Sequence, residues 1–116
     1  MPNNHLRGPI PLEFCQLKYL KVLNLAKNNI SGSLPSCFSS SLIEHVHLSK
    51  NRLLGLLTDA CFNSFSLVTL DLSYNQLHGR ISTWISGFSK LIFLILSNNN
   101  LCICTFVLNY ENYYLM

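Results

Sequence analysis

The sequence predicts a solenoid, a stack of short parallel strands closed by loops, and three observations carry that prediction. Asn4, Asn28, Asn51, Asn75 and Asn99 recur at spacings of 24, 23, 24 and 24 residues, and a period in the twenties marks a stacked repeat. Each of the last four Asn residues closes the same apolar pattern, in which the final two apolar positions are separated by one residue. Charged residues make up only 11% of the 116, well below the roughly 25% of an ordinary soluble domain, while Leu, Ser and Asn are abundant. With 49% apolar residues the chain is too hydrophobic for compositional disorder, and its length allows one compact domain at most.

The apolar pattern is Leu20, Leu23 and Leu25, then Ile43, Val46 and Leu48, then Leu67, Leu70 and Leu72, then Leu91, Leu94 and Leu96. Alternation along a strand sends the last pair of each set to one face and the residues around them to the other. The second face therefore carries Val22, Asn24 and Ala26; His45, His47 and Ser49; Thr69, Asp71 and Ser73; Phe93, Ile95 and Ser97, with Lys27, Lys50, Tyr74 and Asn98 beside them. A single repeat cannot cover its own apolar face, so turns must stack and bury a continuous core. The recurrent Asn follows from the bend after each strand, which aims backbone N–H and C=O groups inward without partners. An amide side chain supplies both a donor and an acceptor, so Asn28, Asn51, Asn75 and Asn99 are expected to form a ladder between turns.

Beyond each Asn lies a second shared pattern of the form L-x-G-x-I-P: Leu6-Arg7-Gly8-Pro9-Ile10-Pro11, Ile30-Ser31-Gly32-Ser33-Leu34-Pro35, Leu53-Leu54-Gly55-Leu56-Leu57-Thr58 and Leu77-His78-Gly79-Arg80-Ile81-Ser82. The glycines are expected in a backbone conformation costly for other residues, with the next Ile or Leu returning to the core. Phe14, Phe38, Cys61 and Ile85 then mark a buried slot on the outer side of each turn, where Cys61 acts as a small hydrophobe.

The combined pattern L-x-x-L-x-L-x-x-N-x-L-x-G-x-I-P resembles the plant-specific class of leucine-rich repeats of receptor-like proteins, receptor-like kinases and polygalacturonase inhibitors. The resemblance covers about four turns in residues 1–101, without caps, and leaves 102–116 as a non-repeat C-terminal tail. It implies an α/β solenoid: a horseshoe segment with a short parallel sheet on the concave face, an extra strand after the Asn turn, and loops or 3-10 turns on the convex face. It further implies a protein- or peptide-binding module of a plant cell-surface receptor-like protein, serving signal perception or defence at the extracellular side of the plasma membrane. The partners implied are a peptide or protein ligand and a co-receptor. The alternatives are a soluble polygalacturonase-inhibitor-like protein, or a truncated gene product with no function of its own. Pro11 and Pro35 match the family proline whereas Thr58 and Ser82 replace it, so the outer strand is expected to be less regular in the later turns. No kinase motif is present, and an uncapped stack exposes sheet edges, so the chain reads as part of a longer frame.

In such a horseshoe the outward strand residues line the concave face, and Val22, Asn24, His45, His47, Thr69, Asp71, Tyr74 and Phe93 are the candidate ligand-binding residues. His45 and His47, two apart on one strand face, have a metal-compatible spacing, yet only Asp71 offers a third ligand, so surface histidines are the preferred reading and no metal is expected. No nucleophile, base and orienting group fall together among five acidic residues, and no phosphate loop is present, which argues against an enzyme and against a cofactor. The net charge of +3 comes from scattered Lys and Arg, so no nucleic-acid partner is expected. The N-terminus has no apolar signal region, and the longest apolar run, Leu91 to Leu96, is far below the roughly 20 residues of a membrane span. Asn29-Ile30-Ser31 is the one glycosylation sequon, on the rim of the predicted solenoid. Cys15, Cys37 and Cys61 sit about one repeat apart, as a repeated structural slot would place them; with five Cys in all, at least one thiol stays unpaired.

Overall fold

The computed structural model describes residues 2–34, 42–56, 66–80, 92–102 and 114–115. Among the described residues, ten short strands run in chain order as β1 (Arg7–Gly8), β2 (Val22–Asn24), β3 (Asn29–Ile30), β4 (His45–His47), β5 (Leu54–Leu56), β6 (Thr69–Asp71), β7 (Gln76–Arg80), β8 (Phe93–Ile95), β9 (Asn100–Cys102) and β10 (Tyr114–Leu115). The one helical element among the described residues is a 3-10 turn, Leu12–Gln16, entered from Pro11 at φ −66°. Phe38, Cys61 and Ile85 of the outer slot, together with Cys37, Pro35, Thr58, Ser82 and Leu91, lie outside the described residues.

The strands form parallel sheets in two layers. A five-stranded sheet has the order β10-β8-β6-β4-β2, and the strands after the Asn turns form a two-stranded sheet, β1-β3, and a three-stranded one, β5-β7-β9. Pairing in the first sheet advances by one repeat at each step: Leu23 opposes Val46, Val46 opposes Leu70, and Leu70 opposes Leu94. Its hydrogen bonding continues beyond the strands, with Leu25 N–H donating to His47 O at 2.9 Å and Lys27 N–H to Ser49 O at 2.9 Å, and equivalent bonds one turn on. This is a parallel-sheet solenoid, with loops and a 3-10 turn opposite the main sheet.

One detail departs from the sequence-based expectation, and another lies beyond it. The outer strands of the later turns are longer than those of the early ones, up to five residues in β7 against two in β1 and β3. Pro9 explains the contrast, because it has no N–H to donate and ends β1 at Gly8, whereas His78-Gly79-Arg80 has no proline to stop it. The tail also adds to the main sheet: Tyr114 stands in register beside Phe93 and Leu115 beside Leu94.

The core consists of rows, one residue per turn. Val46, Leu70 and Leu94 are 0 to 1% exposed, as are Leu48 and Leu72, while the first-turn members Leu23 and Leu25 are at 5%. Such a gradient is what nearest-neighbour stacking produces, since an end turn is covered on one side only. Ile10, Ile30, Leu53 and Leu77 form the rows beneath the outer strands, and Leu6, Phe14 and Leu20 pack against this cluster. At Gly32, φ is +78°, and a Cβ there would sit 3.2 Å from Pro9 Cβ, so conformation and inter-turn spacing both require glycine.

Between the two layers runs the asparagine ladder. Asn75 Oδ1 accepts from Leu53 N–H at 3.0 Å, while Asn75 Nδ2 donates to Leu48 O at 3.0 Å and to Leu72 O at 3.1 Å. Asn51 does the same with Ile30 N–H, Leu25 O and Leu48 O, and Asn99 with Leu77 N–H, Leu72 O and Leu96 O. Asn28 accepts from Leu6 N–H at 3.1 Å. Each amide thus ties its own turn to the one before.

Because Asn75 is buried, Asn75→Ala strands Leu53 N–H and leaves the Leu48 and Leu72 carbonyls short of a donor. A loss of about 2–4 kcal/mol in a urea titration is expected. Asn75→Asp, which keeps the acceptor but faces the carbonyls with oxygen, is expected to rescue little of it.

Candidate ligand-binding face

The parallel register converts the outward residues of β2, β4, β6 and β8 into columns. Val22, His45, Thr69 and Phe93 are neighbours in one column, and Asn24, His47, Asp71 and Ile95 in the next. Val22 and Phe93 are exposed, at 53% and 43%, and the two histidines, Thr69, Asp71, Asn24 and Ile95 are half-buried by adjacent strands. The face is polar at its centre and apolar toward β8, where Ile92 is exposed as well.

Some of these side chains are committed to the fold. Asp71 Oδ1 accepts from Ser73 N–H at 3.1 Å and from the Ser73 hydroxyl at 2.8 Å, and Asn24 Oδ1 accepts from Ala26 N–H at 3.2 Å. Both close an Asx turn at the end of the strand, where the chain begins to bend. Ser73, assigned to the open face by alternation, is instead buried, its hydroxyl turned back onto Asp71. Ala26 and Ser49 are half-buried, and Ser97 is exposed.

The following column, Lys27, Lys50, Tyr74 and Asn98, has φ of 57°, 57°, 56° and 59°. This left-handed conformation costs a non-glycine residue roughly 1 kcal/mol, and it is what turns the next residue, the ladder Asn, inward. Sequence reasoning placed these residues at the side of the face and missed their backbone; the signal available was Asn at two positions of the column, Asn3 and Asn98, because Asn tolerates positive φ. Lys27, Lys50 and Tyr74 are exposed, and Lys50 Nζ lies 5.6 Å from the centre of the Tyr74 ring, within cation–π range. Asn29 is exposed at the start of β3, with its backbone N–H bonded to Leu6 O.

Among the described residues, no group of three or more His, Cys, Asp and Glu side chains is placed to hold a metal ion. No helix among them is long and apolar enough to cross a membrane. A hollow of about 240 Å³, lined by Leu6 to Pro11, Phe14, Leu25 and Ile30, lies at the first turn, away from the columns.

The division between committed and free side chains is measurable. Asp71→Ala is expected to lower the urea midpoint by the equivalent of about 1 kcal/mol through loss of its two bonds, with Asp71→Asn retaining most of it. His47→Ala, one strand away in the same column, is expected to stay within about 0.5 kcal/mol of the parent.

Comparison with known proteins places this geometry. The Leucine Rich Repeat family model matches residues 19–41 and 66–88. Receptor-like protein 54 of Arabidopsis thaliana is 46% identical over 59 residues, covering 49% of this chain and 7% of that protein. Among solved structures, a plant peptide hormone receptor, RGFR1 in complex with RGF2, aligns with a TM-score of 0.80 at 31% identity, over 84% of this chain and 16% of the receptor. A pollen receptor kinase 3 structure aligns with a TM-score of 0.85 at 32% identity, over 98% of this chain and 56% of that one. The chain therefore spans a small part of the curated relative and about half or less of these structures.

Proposed function

We propose that this chain, which is similar to plant receptor-like proteins and matches the Leucine Rich Repeat family model at residues 19–41 and 66–88, is a non-enzymatic ligand-binding module of a plant cell-surface receptor-like protein, with a peptide or protein as ligand. One observation carries the reading: four strands in register present two adjacent columns of outward side chains in a fixed lattice, of which Val22, His45, His47 and Thr69 have no side-chain bond to the ladder or the turns among the described residues. A ligand laid across the strands meets hydrogen-bonding groups at His45, His47 and Thr69 and an apolar surface at Phe93 and Ile95, the mixture on which specific binding is built. The similarity to the peptide-hormone receptor structure supports a peptide in this place.

In this reading the parent protein stands at the plasma membrane with the repeats on the extracellular side. It serves signal perception or defence, and a co-receptor joins at surfaces outside the columns. Asn29, exposed on the rim and followed by Ile30-Ser31, is the acceptor of an N-linked glycan there. In a secreted preparation, a glycosidase-sensitive mass shift that disappears in Asn29→Gln is the expected result.

The binding proposal is tested by selecting a random peptide library on the purified chain. Enriched peptides should lose roughly five- to thirty-fold in affinity on His45→Ala, Thr69→Ala or Phe93→Ala. They should be indifferent to Leu54→Ala on the outer layer. Peptides whose binding survives all three column variants would overturn it.

A further inference from the structure

Charge in this solenoid is sorted by edge. Lys18, Lys21 and Glu44 lie at or before the start of the main-sheet strands, where cation and carboxylate occur together. At the opposite edge, where the strands end, stand Lys27, Lys50 and Arg52, with Arg7 on the outer strand beside Asn29; all four are exposed. The backbone lattice fixes this neighbourhood, since Lys27 N–H bonds Ser49 O and Arg52 N–H bonds Ile30 O. The one carboxylate near this edge among the described residues is Asp71, whose Oδ1 is already held twice by Ser73. No ion pair involves Arg7, Lys27 or Arg52 among the described residues, and Lys50 has only the Tyr74 ring.

The register forces Lys27 and Lys50 into the same position of successive turns, about 4.8 Å apart along the stack. Like charges held in neighbouring strands oppose folding, and both residues also sit in the strained left-handed conformation, where asparagine or glycine would be easier. Nothing in the fold needs a lysine there: the ladder needs only the backbone bend. An anionic partner between the two columns relieves the repulsion and gains from both cations at once.

We propose that this edge binds an acidic stretch of the ligand whose remainder lies on the concave columns, which makes that ligand an acidic peptide; the inference rests on the reading given under Proposed function. The edge column is continuous with the face, three residues along each turn from His47 and Asp71, so an extended chain crossing the strands reaches it without leaving the surface. At about 3.3 Å per residue in an extended peptide, carboxylates one or two residues apart fall within reach of Lys27 and Lys50, with Arg52 one step beyond. Tyr74 holds the Lys50 ammonium near its ring and so limits the freedom lost when it takes a carboxylate.

The probes are a ten-residue oligoglutamate, a neutral Ser-Gly peptide of equal length and a polyuronic acid, each titrated into the intact chain and followed by backbone amide shifts. The expected result is that oligoglutamate moves the amides of Lys27, Lys50 and Arg52 and the neutral peptide does not. Its affinity should fall when salt rises from about 50 to 200 mM, and fall roughly fivefold in Lys27→Gln/Lys50→Gln. Lys18→Gln/Lys21→Gln, with the same loss of net charge, should leave it unchanged. Equal weakening by both double variants, absence of shifts at the edge, or response to the polyuronic acid but not to oligoglutamate would each overturn the proposal. The library selection separates the two readings: peptides sensitive to the column variants but not to the lysine variant remove the edge site alone, and edge shifts that persist when the columns prove irrelevant support the edge site without the concave one.

Discussion

Everything in this solenoid depends on how the bend after each strand is satisfied. A chain that doubles back every 23 or 24 residues turns carbonyls and amides toward its own interior at each bend, where water cannot reach them. Asn51 and Asn75 answer this with one amide each, accepting from the N–H of the preceding turn and donating to carbonyls of both turns. Since each amide bridges two turns, the bonds that satisfy the bend also set the step between turns. A fixed step is what permits Leu70 and Leu72 to fall into continuous rows with no exposed surface, and it equally aligns Val22, His45, Thr69 and Phe93 on the other side of the sheet. Core and face are two consequences of one lattice.

That lattice explains which parts of the structure could be read from the sequence. The strands and rows were legible because period-2 alternation inside a repeat and the repeat itself act together: either alone leaves the register open, whereas the recurrence of Asn28, Asn51, Asn75 and Asn99 pins it. The outer strands were legible as a pattern but not in length, because strand extent depends on whether a backbone N–H is present, and the relevant proline was Pro9, inside the pattern, rather than the family position at 11 and 35. The bend residues were legible only through Asn3 and Asn98. Lys27, Lys50 and Tyr74 are chemically unsuited to positive φ, and their conformation is imposed by the inward turn of the Asn that follows. Tertiary demand overrides local preference where the ladder bonds outweigh a strain of roughly 1 kcal/mol.

The site was legible in outline and blurred in detail for a related reason. Alternation assigns a residue to a face without saying whether its polar atoms are already engaged. Asp71 and Asn24 stand in the outward column, but each gives an oxygen to a backbone N–H two residues on, and Ser73 is buried by following Asp71. The distinction matters for function, since a side chain holding a strand end is constrained by stability and has less freedom to be tuned for a ligand. Among the described residues, His45, His47 and Thr69 carry no such duty in the ladder or the turns.

Segregation of duties follows from the quasi-one-dimensional build of the stack. In a compact globular domain most positions touch many others, so changing a surface residue disturbs packing elsewhere; here each turn meets only its neighbours, and the outward positions meet little besides the same position one turn away. Vertical neighbours in a column are therefore the main constraint on what the face can carry. Where the column tolerates alternation of type, as with Val22, His45, Thr69 and Phe93, no two like groups are stacked. Lys27 above Lys50 breaks that pattern, and the Tyr74 ring beside Lys50 is the one described contact that softens it. A repeat lattice charges a small, repeated energetic penalty for such a pair, and a pair kept in spite of it is best explained by something outside the chain that supplies the missing negative charge.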